Sequence, residues 1–201
     1  MADALAQRYA VQVLTGAQVL NERVIPESDY IVTGSMGGLL AMELLPQRCR
    51  KLVLISSTAR FCACEGYACG THERVLHRML LQLKKNPEAV LEEFFMNVHF
   101  PHRESRQSVA LRKKVPMDLV DLTAGLEYLL EADVRDRVAG IRIPVMLMHG
   151  AADRIIPAAA SEWLHARLSQ SFLEIIENDG HALPAHHFNI VMNRIETFLS
   201  R

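Results

Sequence analysis

The chain has 201 residues, half of them hydrophobic, and a formal net charge of −1. This length and composition fit one globular domain with a full core, and the near-zero charge gives no general reason to expect nucleic-acid binding. No apolar run approaches the roughly 18 residues that cross a bilayer, and no basic segment followed by an apolar stretch opens the chain. The sequence therefore predicts a cytoplasmic protein outside the membrane.

The first 20 residues are consistent with two secondary structures. A rough apolar stripe fits one helix over residues 2–20, whereas the alternative is a short helix followed by a strand over residues 9–14. Periodicity does not separate the two. Gly16 and the β-branched residues favour the helix followed by a strand.

A serine then stands between glycines in the segment Thr33-Gly34-Ser35-Met36-Gly37. The apolar run before it predicts a strand over residues 30–32, and the run after it predicts a helix over residues 39–45. A serine at the tip of a sharp strand-to-helix turn holds its hydroxyl clear of the sheet, and small neighbours permit the turn. The pattern is typical of a nucleophile elbow with Ser35 as nucleophile, although many single matches are only turns.

Further apolar runs predict strands over residues 52–55, 145–148 and 172–176, with helix-like segments between them. Such alternation favours a parallel sheet covered by helices on both faces. Residues 60–133 interrupt it with four predicted helices and no convincing strand: residues 71–83, 87–98, 103–114 and 118–131. An all-helical insert between two strands predicts a cap over the site.

Three of the four cysteines lie close together in this region, at positions 62, 64 and 69. Zinc sites usually use Cys-x2-4-Cys pairs with a second pair at a distance, and this cluster has a Cys-x-Cys pair with one further cysteine. Free thiols are therefore favoured over a metal or redox site. The sequence predicts no metal ion and no cofactor.

Two downstream motifs place further catalytic residue types after predicted strands. Asp153 follows the strand at 145–148, and His181 follows Gly180 after the strand at 172–176. The carboxyl ends of strands are where ligands bind in open α/β sheets. We therefore predict that Ser35, His181 and Asp153 form a triad, against the simpler interpretation of a turn aspartate and a loop histidine.

With these motifs in place, the chain resembles an α/β-hydrolase, and most closely the pimeloyl-acyl-carrier-protein methyl ester esterases of biotin synthesis. The resemblance extends from about Tyr30 to the end. It rests on the elbow, on residues 54–61, 111–117 and 122–129, and on residues 143–157 with Gly180-His181-Ala182-Leu183-Pro184. It implies a carboxylesterase, with residues 1–59 and 134–201 forming the two parts of the hydrolase core and residues 60–133 the cap.

Two departures from the family qualify this expectation. Thr33 replaces the first glycine of the usual elbow. Relatives also carry a His-Gly motif before the elbow that supplies an oxyanion donor, whereas the only His-Gly here is His149-Gly150. The resemblance implies the Met36 N–H as one donor, and we expect a sheet truncated at its amino-terminal side and ester hydrolysis slowed by about 10²–10³.

The predicted cap supplies candidate substrate and partner contacts. Phe94 and Phe95 are candidates for an acyl tunnel, although such residues often only pack a helix onto a sheet. Arg103, Arg106 and Arg112 belong to a basic run, with Lys113 and Lys114, that would attract an acidic acyl carrier protein or would simply be solvated. An exposed sheet edge would favour a homo-oligomer.

Three functions stay open at this point. The first is cleavage of a small or carrier-bound ester. The second is another reaction of the same triad, either lipase-like or hydrolysis of a carbon–carbon bond. The third is an impaired hydrolase fold that acts as an interaction protein.

Overall fold

The computed structural model describes residues 1–112, 114 and 118–201. Its strands are β1 (Tyr30–Gly34), β2 (Lys51–Ile55), β3 (Val145–Gly150) and β4 (Ser171–Ile176). Its helices are α1 (Ala2–Leu5), α2 (Gly16–Glu22), α3 (Met36–Glu43), α4 (Glu73–Leu83), α5 (Pro87–His99), α6 (Arg106–Arg112), α7 (Leu119–Glu131), α8 (Arg135–Val138), α9 (Ala159–His165), α10 (Leu183–His186) and α11 (Phe188–Ser200).

The four strands form one parallel sheet in the order β1-β2-β3-β4. Register aligns Tyr30 with Lys51, Leu52 with Val145, and Val145 with Ser171. Because every strand runs in the same direction, all four carboxyl ends lie along one edge. This edge carries the loops that follow Gly34, Ile55, Gly150 and Ile176. The predicted parallel sheet is confirmed.

Alternate strand residues contribute to two separate cores. Leu52 and Leu54 pack with residues of α3, α8 and α9 on one face. Val53 and Ile55 pack with α1 and α11 on the other. Successive side chains of a strand point to opposite faces, so a sheet buried on both sides requires apolar residues at every position. The continuous apolar runs in the sequence are therefore a consequence of this layering.

Residues 60–133 contain α4 to α7 and lie between β2 and β3 in the chain. The two ends of this segment meet, because Arg60 forms an isolated antiparallel bridge with Asp133 and its guanidinium lies 2.8 Å from the Asp133 carboxylate. Phe61 and Leu76 pack against Ile156 near the start of α9. The four predicted helices lie close to their expected positions, whereas the division of the chain at residues 59 and 133 stays a prediction.

The helix starts in this segment follow from capping chemistry. The N–H of Ala89 donates to the Asn86 side chain at 3.2 Å, and Pro87 occupies the first turn of α5, as expected. Asp118 caps α7 in the same way through Val120 N–H. No helix in the described part of the chain is both long and apolar enough to span a bilayer.

The amino-terminal interpretation is wrong in one respect, because residues 9–14 form no strand. Thr15 starts a new helix through a capping box, in which it accepts from Gln18 N–H and donates its own N–H to the Gln18 side chain. The side chain of Val13 is 67% exposed. The alternation at 9–14 therefore belongs to an irregular connection between α1 and α2.

Candidate active site

Ser35 stands at the turn between β1 and α3. Its backbone has φ 54° and ψ −131°. This left-handed conformation is unfavourable for any residue that has a Cβ atom. Two hydrogen bonds hold the turn: Ser35 N–H donates to Ile55 C=O at 2.9 Å, and Gly38 N–H donates to Ser35 C=O at 2.9 Å. Ser57 also donates its hydroxyl to the Ser35 carbonyl at 3.4 Å. The strained turn is thus fixed from β2 and from α3.

The glycines after Ser35 are required by close packing. A Cβ on Gly37 would collide with the Thr33 hydroxyl, and a Cβ on Gly38 would collide with the side chain of Ser57. The first turn of α3 therefore lies directly against β1 and β2. Thr33, the departure from the usual elbow, takes the space that a side chain at 37 would need.

Asp153 lies three residues beyond β3, and its side chain is completely buried. One carboxylate oxygen, Oδ1, accepts the N–H groups of Ile155 at 2.7 Å and Ile156 at 2.9 Å. The other, Oδ2, lies 3.0 Å from Nε2 of His149 and 2.7 Å from Nδ1 of His181. Burial alone would raise the pKa of Asp153, but hydrogen bonds and charge from the two histidines lower it to about 2.

His181 connects this carboxylate to the serine. Its Nε2 lies 2.9 Å from Ser35 Oγ, and its side chain is 8% exposed. Because an ionised carboxylate only accepts hydrogen bonds, Nδ1 must carry the proton and Nε2 is left to accept from the Ser35 hydroxyl. The His181 backbone is also held, since Ser56 donates its hydroxyl to the His181 carbonyl at 3.1 Å. The structure therefore joins the three predicted side chains in one hydrogen-bonded chain.

His149 is a site residue that the sequence analysis did not single out. It is fully buried, its Nε2 lies 2.8 Å from the Ile156 carbonyl and 3.0 Å from Asp153, and its Nδ1 lies 2.6 Å from the Ser161 hydroxyl. Both neighbours of Nε2 are acceptors, so Nε2–H donates and Nδ1 accepts from Ser161. His149 thus orients Asp153 from behind. The sequence signal for this contact is that His149 lies four residues before Asp153, at the end of a predicted strand.

The other predicted site residues have less defined surroundings. Met36 is the first residue of α3, so its N–H has no partner within the helix and is available to an oxyanion. Phe94 and Phe95 are half-buried on α5 with their ring centres 5.6 Å apart. A role for either ring in substrate binding stays a prediction.

The basic run is less uniform than expected. Arg112 donates from Nε to both Glu104 oxygens at 2.9 Å, and its guanidinium lies 4.5 Å from the centre of the Phe95 ring. Its charge is thus compensated within the segment. Arg103 and Arg106 are exposed and form no ion pair with any residue that the structure describes. Lys114 is exposed as well, and Lys113 lies outside the described residues.

The chain matches one known protein family and is similar to several curated proteins. Residues 20–187 match the family described as alpha/beta hydrolase fold. A pimeloyl-[acyl-carrier protein] methyl ester esterase of Nitrosomonas europaea is 31% identical over 162 residues, which cover 76% of this chain and 64% of the relative. The protein of the same name from Aromatoleum aromaticum is 30% identical over 178 residues, covering 81% and 71%. The chain thus spans about two thirds of the length of these curated relatives.

Solved structures share the fold at lower sequence identity. An esterase from Exiguobacterium antarcticum superposes with a TM-score of 0.80 at 20% identity, covering 85% of this chain and 66% of that one. A bromoperoxidase from Bacillus anthracis gives a TM-score of 0.78 at 18% identity, covering 86% and 67%. At these identities the similarity concerns the fold alone.

Proposed function

Because the chain belongs to the alpha/beta hydrolase fold family, we propose that it is a serine hydrolase that cleaves carboxylic esters. The observation that carries this proposal is the hydrogen-bonded chain from Ser35 through His181 to Asp153, with contacts of 2.9 Å and 2.7 Å. These distances are those that a nucleophile, its general base and the residue that orients the base require.

The proposed reaction has two halves. In the first, Ser35 Oγ attacks the ester carbonyl carbon while its proton passes to His181 Nε2, and the resulting imidazolium is stabilised by Asp153. The tetrahedral intermediate then expels the alcohol, which takes the proton from Nε2, and leaves an acyl-serine. In the second half, water gives a proton to Nε2 and attacks the acyl-serine; Nε2 then returns the proton to Ser35 Oγ as the carboxylic acid leaves.

The negative charge that develops on the carbonyl oxygen needs backbone donors. The N–H of Met36 fits this role, because it follows the nucleophile directly and opens α3. The partial positive charge at a helix N-terminus adds to the effect. We propose Met36 as one oxyanion donor. The expectation that hydrolysis is slower than in relatives stays a prediction.

As the specific substrate, we propose a methyl ester on an acyl chain that is attached to a carrier protein. The names of the relatives at about 30% identity support this, since they are methyl ester esterases of a carrier-bound pimeloyl group. The exposed Arg103 and Arg106 offer positive charge to an acidic carrier.

The reaction type is tested by labelling with a fluorophosphonate probe, which reacts preferentially with an activated serine. We expect Ser35 to label in the parent protein, and the Ser35→Ala and His181→Ala variants to stay unlabelled. Ser200→Ala removes an exposed hydroxyl on α11 and serves as the matched control. Peptide mapping should place the adduct on Ser35.

Folded protein that does not label would overturn the hydrolase proposal and favour the alternative of an interaction protein. Labelling without hydrolysis of carboxylic esters would instead favour another reaction of the same triad. Either result would be distinguished from misfolding by the circular dichroism of the same samples.

The carrier is tested by salt dependence. Hydrolysis of a carrier-bound ester should fall as salt rises, because salt screens attraction between charged surfaces, whereas hydrolysis of a small neutral ester should not. An Arg103→Ala, Arg106→Ala double variant should lose the salt-sensitive part. Arg48→Ala, on the connection between α3 and β2, is the control for loss of an arginine. Equal salt responses for the two substrates would contradict the carrier proposal.

A further inference from the structure

Four histidines form a cluster beside a second buried carboxylate at the same edge of the sheet, and two of them lie close to it. The carboxylate is Asp179, which follows β4. His99 and His102 lie at and just after the end of α5, and His186 and His187 lie at the junction of α10 and α11. The ring of His186 lies 5.1 Å from that of His99 and 4.5 Å from that of His102. Three separate segments of the chain therefore contribute to this cluster.

Asp179 is buried but incompletely bonded. Its side chain is 0% exposed, and Oδ1 accepts the N–H of Gly180 at 2.7 Å. Oδ2 is also buried and has no hydrogen-bond partner among the residues that the structure describes. A buried carboxylate oxygen without a partner is costly, because it has lost its water without replacement. This oxygen is directed toward the histidines.

Two imidazole nitrogens lie close to this carboxylate, but neither contact has the geometry of a hydrogen bond. His187 Nε2 lies 3.3 Å from Oδ2, and His102 Nε2 lies 3.5 Å from Oδ1. One ligand atom from each of the three residues lies within 4.8 Å of the other two. Bonds of about 2.0–2.1 Å to a tetrahedral zinc ion would place neighbouring ligand atoms about 3.3–3.4 Å apart. The two contacts of Asp179, 3.3 Å from Oδ2 to His187 and 3.5 Å from Oδ1 to His102, are close to this spacing.

We propose that His102, Asp179 and His187 bind a divalent transition-metal ion of the zinc class. Two imidazoles and one carboxylate suit zinc and its neighbours, whereas magnesium and calcium prefer sites made of oxygen atoms. The side chains of His102 and His187 are 38% and 33% exposed. The ion can therefore enter from solvent, and a water molecule can occupy its fourth position.

His186 and His99 support this site from behind. Nε2 of His186 and Nδ1 of His99 are 2.9 Å apart, so one of them donates to the other. The tilted His186 ring lies against the His102 ring, with 38° between their planes. This contact limits the orientation of His102, in the manner of outer residues that position metal-binding imidazoles.

The proposed ion would connect the helical segment, residues 60–133, to the loop that carries His181. His102 belongs to the helical segment, whereas Asp179 lies two residues before His181. The contact between these segments is already close, because a Cβ on Gly180 would collide with the Phe100 carbonyl and Ala182 N–H donates to the Val98 carbonyl at 3.1 Å. A bound ion would add a bond across this contact and stabilise the loop.

Calorimetric titration with zinc chloride tests the site after treatment of the whole protein with EDTA and gel filtration. We expect one zinc per chain and a higher melting temperature with zinc, since a ligand that binds only the folded state stabilises it. Cobalt chloride provides an independent signal, because tetrahedral cobalt(II) with imidazole ligands absorbs visible light. Magnesium chloride should give no heat of binding.

The variants His102→Ala and His187→Ala should each weaken zinc binding by at least about tenfold. His77→Ala, which removes an exposed histidine of α4 outside the cluster, should bind as the parent does. Both side chains are partly exposed, so these variants are expected to fold as the parent does. Absence of zinc binding by the parent, or equal affinity in the parent and in a His102→Ala, His187→Ala double variant, would overturn the proposal.

Discussion

Two buried aspartates stand at the same edge of the sheet, and they differ in how fully they are bonded. Asp153 follows β3 and accepts four hydrogen bonds, two from backbone N–H groups and two from histidines. Asp179 follows β4 and, within the described part of the chain, accepts one, from Gly180. Both side chains are 0% exposed. The same residue type in equivalent positions after neighbouring strands thus has two different environments.

The difference shows what each carboxylate is able to do. A fully bonded carboxylate is fixed in position and ionised, and therefore suits the orientation of His181. A carboxylate with one free oxygen keeps a site for a further ligand. Burial therefore does not distinguish a residue that orients a base from one that binds an ion, whereas the number of its donors does.

The largest effect is expected from Asp153→Asn, which replaces an acceptor by an amide that also donates. The His181 ring would then favour the wrong tautomer, and we expect kcat for ester hydrolysis to fall by about 10⁴. Initial rates with 4-nitrophenyl butyrate measure this. Asp136→Asn, on the exposed side of α8, is the control. Retention of more than a tenth of the parental kcat would show that Asp153 does not orient the base.

The buried partner of Asp153 gives the next largest effect. His149→Ala opens a cavity and leaves the Ser161 hydroxyl without its partner, so we expect a loss of about 2–4 kcal/mol in the free energy of unfolding. Urea titration monitored by circular dichroism measures the loss. His165→Ala removes an exposed histidine that is bonded to Ser171, and should cost about 0.5 kcal/mol or less. Similar losses for both variants would show that the buried contacts of His149 add no more stability than those of an exposed histidine.

Lowering the pH should remove the contribution of Asp153 to the free energy of unfolding. Its pKa is lowered from 3.8 to about 2, so its contribution is complete above about pH 4 and is lost as the pH falls toward 2. The contribution is on the order of 2 kcal/mol. Burial would raise the pKa, so the shift comes from the histidine hydrogen bonds that outweigh it.

Unfolding free energies at pH 5 and pH 2 measure this contribution in the parent and in Asp153→Asn. Hydrogen bonds from Arg135 lower the pKa of Asp133 to about 2 as well. Asp133 is present in both proteins, so the difference between their pH profiles isolates Asp153. Parallel profiles between pH 5 and pH 2 would mean that the folded and unfolded states bind this proton equally.

The smallest effect is expected from Asp179→Asn in the presence of EDTA. Oδ2 has no hydrogen-bond partner among the described residues, and the substitution removes a buried charge, so the free energy of unfolding should change by less than about 1 kcal/mol. Asp153→Asn, measured under the same conditions, should cost more. Equal losses at the two positions would eliminate the distinction between the two carboxylates.

Much of the sheet was predictable because its residues are apolar at consecutive positions. All four strands lie within two residues of their predicted bounds, and the motif spacing placed Ser35, Asp153 and His181 at strand ends. The predicted strand at 9–14 failed, because alternation of residue types does not reveal whether a neighbouring strand is available to pair with it. Capping at Thr15 decided the structure locally.

The interactions that combine distant segments were not predictable. The histidines close to Asp179 are residues 102 and 187, and the groups that contact Arg112 belong to residues 95 and 104. No local pattern indicates such contacts, because they depend on how the helical segment packs on the sheet. The predicted third helix of this segment runs to Lys114 through Lys113, which lies outside the described residues. Residues 115–117, which contribute to the family resemblance, lie outside them as well. The observed helix covers Arg106–Arg112.

Close packing of Thr33 on Gly37 restricts the order in which this elbow can change during evolution. An alanine at 37 would collide with the Thr33 hydroxyl, whose β-branched side chain has little freedom to turn away. Thr33→Gly would remove that obstacle, so it is the permissive step and Gly37→Ala can only follow it. The two positions should therefore covary among related elbows, and a double-mutant cycle should give a favourable coupling of about 0.5–3 kcal/mol for the pair.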